Sequence, residues 1–225
     1  MLPYIHNVVG LVGVAVAVAT ATAAMVDRFT RRRAVFGWVA ALALAVMLGS
    51  WGGLPAAAYV RGVTGDLSVT TLVLVAHALG RGLFGWPQLT RRSLRALQAF
   101  LVAAALLLYP FALGLGMQDP YRLGYANPGF VGAVLALALA SWLVRLDLVA
   151  VTLALAILAW AFGAFESDNL WDYLIDPVVA LYAAGALIWA VGLTWQGRRR
   201  AREGGLRLDA TDQGSSRADP RFRQL

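Results

Sequence analysis

The chain has no cysteine, no lysine and only two histidines in 225 residues. Without cysteine there are no disulfides, thiolate metal sites, iron–sulfur clusters or Cys nucleophiles. Without lysine no Schiff base can form, which excludes a retinal-type chromophore. The two histidines do not suit a bis-His heme. His6 reads at the outer mouth of the first apolar segment, while His77 lies about 15 Å deeper along the third by helix rise. No nucleophile motif or metal-ligand spacing is present. Ser50 lacks a motif and His77 is wrongly placed to serve it. No catalytic residue, cofactor or metal ligand is therefore expected.

What is present is apolar. Sixty per cent of residues are hydrophobic and the mean hydropathy is +0.68, more than a soluble domain could cover with polar surface. All 19 basic residues are arginine, and they fall on alternate connections between apolar runs. Arg28, Arg31, Arg32 and Arg33 form one group, and Arg81, Arg91, Arg92 and Arg95 a second. Arg145 follows alone, and then the eight of the C-terminal tail. The intervening connections carry only Arg61 and Arg122. Arginine-rich short loops stay cytoplasmic, so one side holds 17 arginines against six acids and the other two against six. The pI near 10.5 is thus a topology signal and a contact for anionic lipid, and no nucleic-acid partner is expected. Arg in place of Lys, with abundant Ala, Gly, Leu and Val, points to a GC-rich bacterial genome and so to the inner (cytoplasmic) membrane.

A membrane span needs about 20 apolar residues. The expected architecture is an all-α integral membrane protein, a bundle of seven transmembrane helices with the N-terminus outside and the C-terminus cytoplasmic. The expected spans are 5–26, 34–51, 67–85, 96–116, 128–144, 148–165 and 177–196. Residues 1–197 form the transmembrane domain and 198–225 a basic, largely disordered cytoplasmic tail. The N-terminus lacks the basic start of a signal peptide. Arg145-Leu146-Asp147 is so short that spans 5 and 6 must form an antiparallel hairpin. Small residues recur at helix spacing at Gly10, Gly13, Ala17, Ala21 and Ala24, and again at Gly129, Gly132, Ala133 and Ala136. Such stripes permit close helix approach.

Two constellations could carry chemistry. The first is Asp66, Thr70, His77 and Arg81, which fall on one face of span 3 if that span is helical from Asp66 onward. Intramembrane ionisable groups face a bundle interior or a water-filled cavity. The functional reading is a proton or ion pathway, or a polar ligand slot. The structural reading has Asp66 capping the helix, Thr70 bonding its own backbone, His77 bonding a neighbouring helix and Arg81 snorkelling. The structural reading is preferred.

The second lies on the outer side and comprises Glu166, Asp168, Trp171, Asp172, Asp176, Asp119, Tyr121 and Arg122. If residues 166–176 are helical, Asp168, Asp172 and Asp176 share an acidic face opposite Leu170, Trp171, Leu174 and Ile175. That describes a short interfacial helix able to hold a cation or act on a lipid headgroup. Capping by Asp176 before Pro177, and aromatic anchoring, form the competing account.

Residues 52–65 are expected to dip back as a re-entrant piece over Asp66, and Tyr109-Pro110 to kink span 4. Together these would shape an outward pocket lined by spans 2, 3 and 4. Lipid-contacting basic residues are Arg31, Arg32, Arg33, Arg198, Arg199, Arg200 and Arg202.

The favoured function is a non-enzymatic accessory or structural subunit of a larger membrane complex. Its partners would be anionic lipids of the cytoplasmic leaflet and other integral subunits or further copies of itself. The alternatives are a small transporter or proton/ion pathway on the span 3 stripe, and an enzyme acting on lipid-linked substrates at the outer face.

Overall fold

A computed structural model describes residues 2–196, with side chains from Asn7 onward. The His6 side chain and the tail arginines 198, 199, 200 and 202 lie outside the described residues. The chain divides into two units, 1–184 and 185–225. The described part of the second, residues 185–196, is helical and exposes Ile188, Trp189, Val191, Leu193 and Trp195.

The protein is all-α apart from one minimal hairpin. In order come α1 (Leu2–Thr30), α2 (Arg33–Leu48), β1 (Ser50–Trp51), β2 (Leu54–Pro55), α3 (Ala56–Thr64), α4 (Val69–Phe84) and α5 (Arg91–Ala112). A 3-10 turn (Pro120–Gly124), α6 (Pro128–Leu143), α7 (Asp147–Ala161) and α8 (Leu170–Leu174) follow. The last helix, α9, is Pro177–Gln196. Strands β1 and β2 pair antiparallel, Ser50 with Pro55 and Trp51 with Leu54.

Three helices are long and apolar enough to cross a membrane: Asn7–Thr30 within α1, α5 and α9, with mean hydropathies of 2.2, 1.7 and 1.8. Helices α2, α4, α6 and α7 are as apolar in character but only 15 or 16 residues long. At 1.5 Å per residue, 16 residues cover about 24 Å of a hydrocarbon core roughly 30 Å thick. Trp38, Phe29, Leu143 and Phe162 are largely exposed, which water would penalise and lipid does not. This is a membrane protein.

Local chemistry explains the helix ends and shortens some expected spans. Span 2 was expected to reach Trp51, but α2 stops at Leu48 because Ser50–Trp51 is drawn into the hairpin. Thr90 caps α5 through the Ser93 amide at 3.3 Å, so this helix starts before Ala96. Pro110 lies in its last turn, and α5 ends at Ala112 instead of kinking and running on to Gly116. Helix α7 ends at Ala161, short of Phe165. Gly163 takes a left-handed φ of 58° there and Ala164 N bonds Ala159 O at 2.9 Å, a glycine-terminated helix end. The α6–α7 hairpin forms as expected: Arg145 adopts φ 60° and Leu146 N bonds Ser141 O at 2.8 Å.

The main core joins α5, α6 and α7 to the segment 165–175, with Leu97, Leu101, Leu153, Leu170, Tyr173 and Leu174 fully buried. A second cluster joins α1, α3 and Leu67 through Val14, Ala15 and Ala57. A third joins Ala23, Phe36 and Ala40. The first small-residue stripe is used for packing: a Cβ at Gly10 would collide with the Asp66 carboxylate, and Gly13 faces Leu72. The second stripe is not, since a Cβ at Gly132 would meet open space.

Candidate functional site

The two expected constellations are redistributed into a polar knot at one end of the first unit and a cavity along α1 and α4. Asp176 holds the knot together. It is 3% exposed. Its Oδ2 accepts from Ser68 N and Ser68 Oγ, each at 2.8 Å, and from the Thr71 hydroxyl. Its Oδ1 accepts from Val179 N at 2.8 Å. One carboxylate therefore caps its own helix, α9, and grips the start of α4. Ser68 is itself the N-cap of α4, accepting from Thr71 N at 3.2 Å.

Helix α8 plugs the space beside it. Asn169 is fully buried; it caps α8 through Trp171 N and donates to the Tyr121 carbonyl at 2.9 Å. Trp171 donates from Nε1 to Pro120 O at 3.0 Å and packs on Phe130 with ring centroids 4.6 Å apart. The Tyr173 hydroxyl accepts from Phe165 N and donates to Ser167 O, each at 3.0 Å, while its ring stacks on Phe165. Asp172 accepts from the Tyr121 hydroxyl at 2.9 Å and from the Ser167 hydroxyl. Burial, and then the bond to Asp172, pushes the Tyr121 phenol well above its usual range. Burial likewise raises Tyr173.

This arrangement corrects the interfacial-helix expectation. Helix α8 is only five residues long, so Asp168 precedes it, Asp176 follows it and no continuous acidic face forms. Leu170, Trp171, Tyr173, Leu174 and Ile175 are core residues, not anchors at a lipid–water boundary. Glu166 and Asp168 remain exposed. Asp119 caps the 3-10 turn through Tyr121 N at 3.1 Å, and Arg122 is exposed within that turn.

The span 3 stripe is also broken. Helix α4 begins at Val69, so Asp66 is not on it and does not cap it. Asp66 instead takes a bidentate bond from Arg61 of α3, at 2.6 and 2.9 Å. Arg61 also donates to Asn7 at 2.8 Å and approaches Glu166 at 3.8 Å. Residues 56–64 thus fold back as α3 against α1 and α2, with Ala57 buried and Arg61 reaching the start of span 3. Thr70 donates to the Leu174 carbonyl and not to its own helix. Of the four stripe residues, only His77 and Arg81 share a cavity.

That cavity encloses about 660 Å³. It runs along α1 and α4 from Thr64 and Leu67 to Gln88 and Arg91, and its wall is overwhelmingly apolar. Among the described residues no carboxylate lines it. Two buried polar atoms on its lining residues have no hydrogen-bond partner among the described residues: Thr20 Oγ1, in a residue 3% exposed, and His77 Nε2. His77 makes a backbone contact to Pro87, and its ring lies 6.1 Å from that of Trp86. A second cavity of about 560 Å³ lies in the knot, lined by Asp66, Tyr109, Tyr121, Glu166, Asp172 and Asp176 among others. The expected outward pocket between spans 2, 3 and 4 is replaced by these two, and α2 lines neither. Arg31, Arg32 and Arg33 are exposed, and the Arg33 guanidinium lies over Gly85, the left-handed C-cap of α4. Among the described residues no group of three potential metal ligands gathers.

Sequence reasoning missed Ser68, Thr71, Asn169 and Thr20. Ser68 carried a readable signal, a Ser three residues before Thr71 at the head of an apolar run. The bonds of Thr71 to Asp176 and of the Asn169 amide to Tyr121 carried none, because those partners lie in distant segments, and Thr20 has no partner among the described residues to signal it.

Fold and site together define a class: an all-helical membrane protein with a polar knot at one end and an apolar cavity along two of its helices. Comparison of the chain with protein-family models, curated proteins and solved structures returned no match.

Proposed function

We propose that the protein is a seven-span integral protein of a bacterial inner membrane, N-terminus outside and C-terminus inside, acting as a non-enzymatic accessory or structural subunit of a larger complex. Its partners are anionic lipids and other integral subunits or further copies of itself. One observation carries this reading: the carboxylates best placed for chemistry are spent on architecture. Asp176 holds the starts of α4 and α9, Asp172 holds Tyr121 and Ser167, and Asp66 holds Arg61. A carboxylate saturated by donors is a poor general base, which weighs against an enzyme acting on lipid-linked substrates at the outer face. The four shorter apolar helices fit a span with local bilayer thinning, and the alternating arginines supply the orientation. Extraction of the native membrane in mild detergent tests the proposal. A stoichiometric complex is the expected product, and a monodisperse monomer without a partner overturns it.

A second reading, a proton or ion pathway, is favoured by the unpartnered Thr20 hydroxyl and His77 Nε2 on residues of one cavity. It predicts that His77→Ala abolishes pH-dependent flux in proteoliposomes. Wild-type flux in that variant removes it. Asp66 no longer belongs to this pathway, since it is bonded to Arg61 and lies on the other cavity.

A further inference from the structure

We infer that the 660 Å³ cavity is a binding site for a single-chain lipid phosphate, with its tail along α1 and α4 and its head between Arg81 and Arg91. Its volume falls within the roughly 300–1,000 Å³ of small-molecule sites. The wall beside the tail is made by Val14, Ala17, Val18, Leu74 and Ala78. Between Thr71 and Arg81 the α4 wall rises about 15 Å, which suits an extended chain and not a compact polar solute.

The two ends differ in chemistry. One is lined by apolar and hydroxyl groups, Val60, Thr64 and Leu67, and the other by Arg81, Gln88 and Arg91. Arg81 and Arg91 both line this end, and among the described residues no carboxylate lines the cavity to neutralise them. Arginine stays charged at any relevant pH and pairs with phosphate in bidentate geometry. Charge complementarity therefore selects an anionic head. Selection must come from that end, because an acyl chain gains no hydrophobic free energy on moving from lipid into an apolar groove. The buried Thr20 hydroxyl, which has no partner among the described residues, is a further donor beside the chain. This site is independent of the accessory-subunit reading, which needs no ligand.

The test uses the full chain in phosphatidylcholine nanodiscs with three probes of equal tail: dodecyl phosphate, dodecanol and dodecyltrimethylammonium. Dodecyl phosphate should raise the melting temperature by several degrees, while dodecanol and the cationic probe should not. Native mass spectrometry should retain dodecyl phosphate on the protein at one copy. Equal responses to all three head groups overturn the inference from the wild-type protein alone. The variant Arg81→Gln/Arg91→Gln should lose the head-group selectivity at least tenfold while keeping its helical circular dichroism. Ala17→Phe, which fills the tail channel and leaves both arginines, should also lose binding. Selectivity that survives both folded variants assigns the anion to the lipid surface and overturns the site. Inorganic phosphate replacing dodecyl phosphate with equal effect overturns the role of the tail.

Discussion

Two cavities of this protein treat polar groups in opposite ways. In the knot around Asp176, donors and acceptors are matched within a cluster that reaches across more than a hundred residues of sequence. Along the α1–α4 cavity, Thr20 Oγ1 and His77 Nε2 are buried without partners among the described residues, and two arginines line a space that no described acid lines. An unpaired buried polar group costs free energy that a structural role does not recover. The contrast separates residues that hold the fold from residues left available, and the arginine end belongs to the second kind.

The sharpest way to break that contrast is Asp176→Ala. It strands the Ser68 amide and hydroxyl, the Thr71 hydroxyl and the Val179 amide, and should destabilise by roughly 3–5 kcal/mol in detergent unfolding. A loss under about 1 kcal/mol would mean that the knot does not hold α4 to α9.

Next is Gly124→Ala. A Cβ there would run into the Asn169 carboxamide and the Trp171 ring, so about 1–3 kcal/mol of overpacking is expected in the same assay.

The Arg61–Asp66 pair, with side chains 17% and 24% exposed, should show about 1–2 kcal/mol of coupling in a double-mutant cycle of Arg61→Ala and Asp66→Asn. A purely additive cycle would make the bidentate geometry energetically idle.

Tyr121 extends the comparison to pH. Burial and Asp172 raise its folded-state pKa, so the folded form favours the protonated phenol. That contribution is present below the unfolded value near 10 and is lost as pH climbs through the higher folded value. Melting temperature should fall above pH about 10, and Tyr121→Phe should flatten part of that fall while costing about 1 kcal/mol at neutral pH. An unchanged alkaline limb would remove Tyr121 from the account.

The smallest effect, with the opposite sign, belongs to Thr20→Val. Replacing an unpartnered buried hydroxyl by an isosteric methyl should be neutral or stabilising by up to about 1 kcal/mol. Marked destabilisation would show that Thr20 is structural after all.

Much of the secondary structure was legible in the sequence, because apolar length and capping residues act locally. The expected start of span 5 at residue 128 is that of α6, where Asn127 caps the helix by accepting from Gly129 N and Phe130 N at 2.9 and 3.1 Å. The Arg145 turn closes the α6–α7 hairpin. Residues 52–65 read as a piece lying over Asp66; the helix α3 within them and its Arg61–Asp66 bond came only from the structure. The candidate sites were less legible. Helical spacing placed Asp66 on the α4 face, but Ser68 starts that helix two residues later. Spacing also joined Asp168, Asp172 and Asp176 on one helix, but α8 spans only Leu170–Leu174.

The sequence by itself determined the apolar segments, most of their ends and the alternation of arginine along the chain, since each depends on residues within a turn or two of one another. Tertiary structure alone decided that Asp176, already legible as the α9 cap, also grips the start of α4, that Trp171 and Tyr173 are core, and that His77 and Arg81 share a cavity with Thr20 and Arg91. Those pairings join segments tens to a hundred residues apart. No local periodicity encodes them; they follow from which helix faces meet once the apolar surfaces are packed.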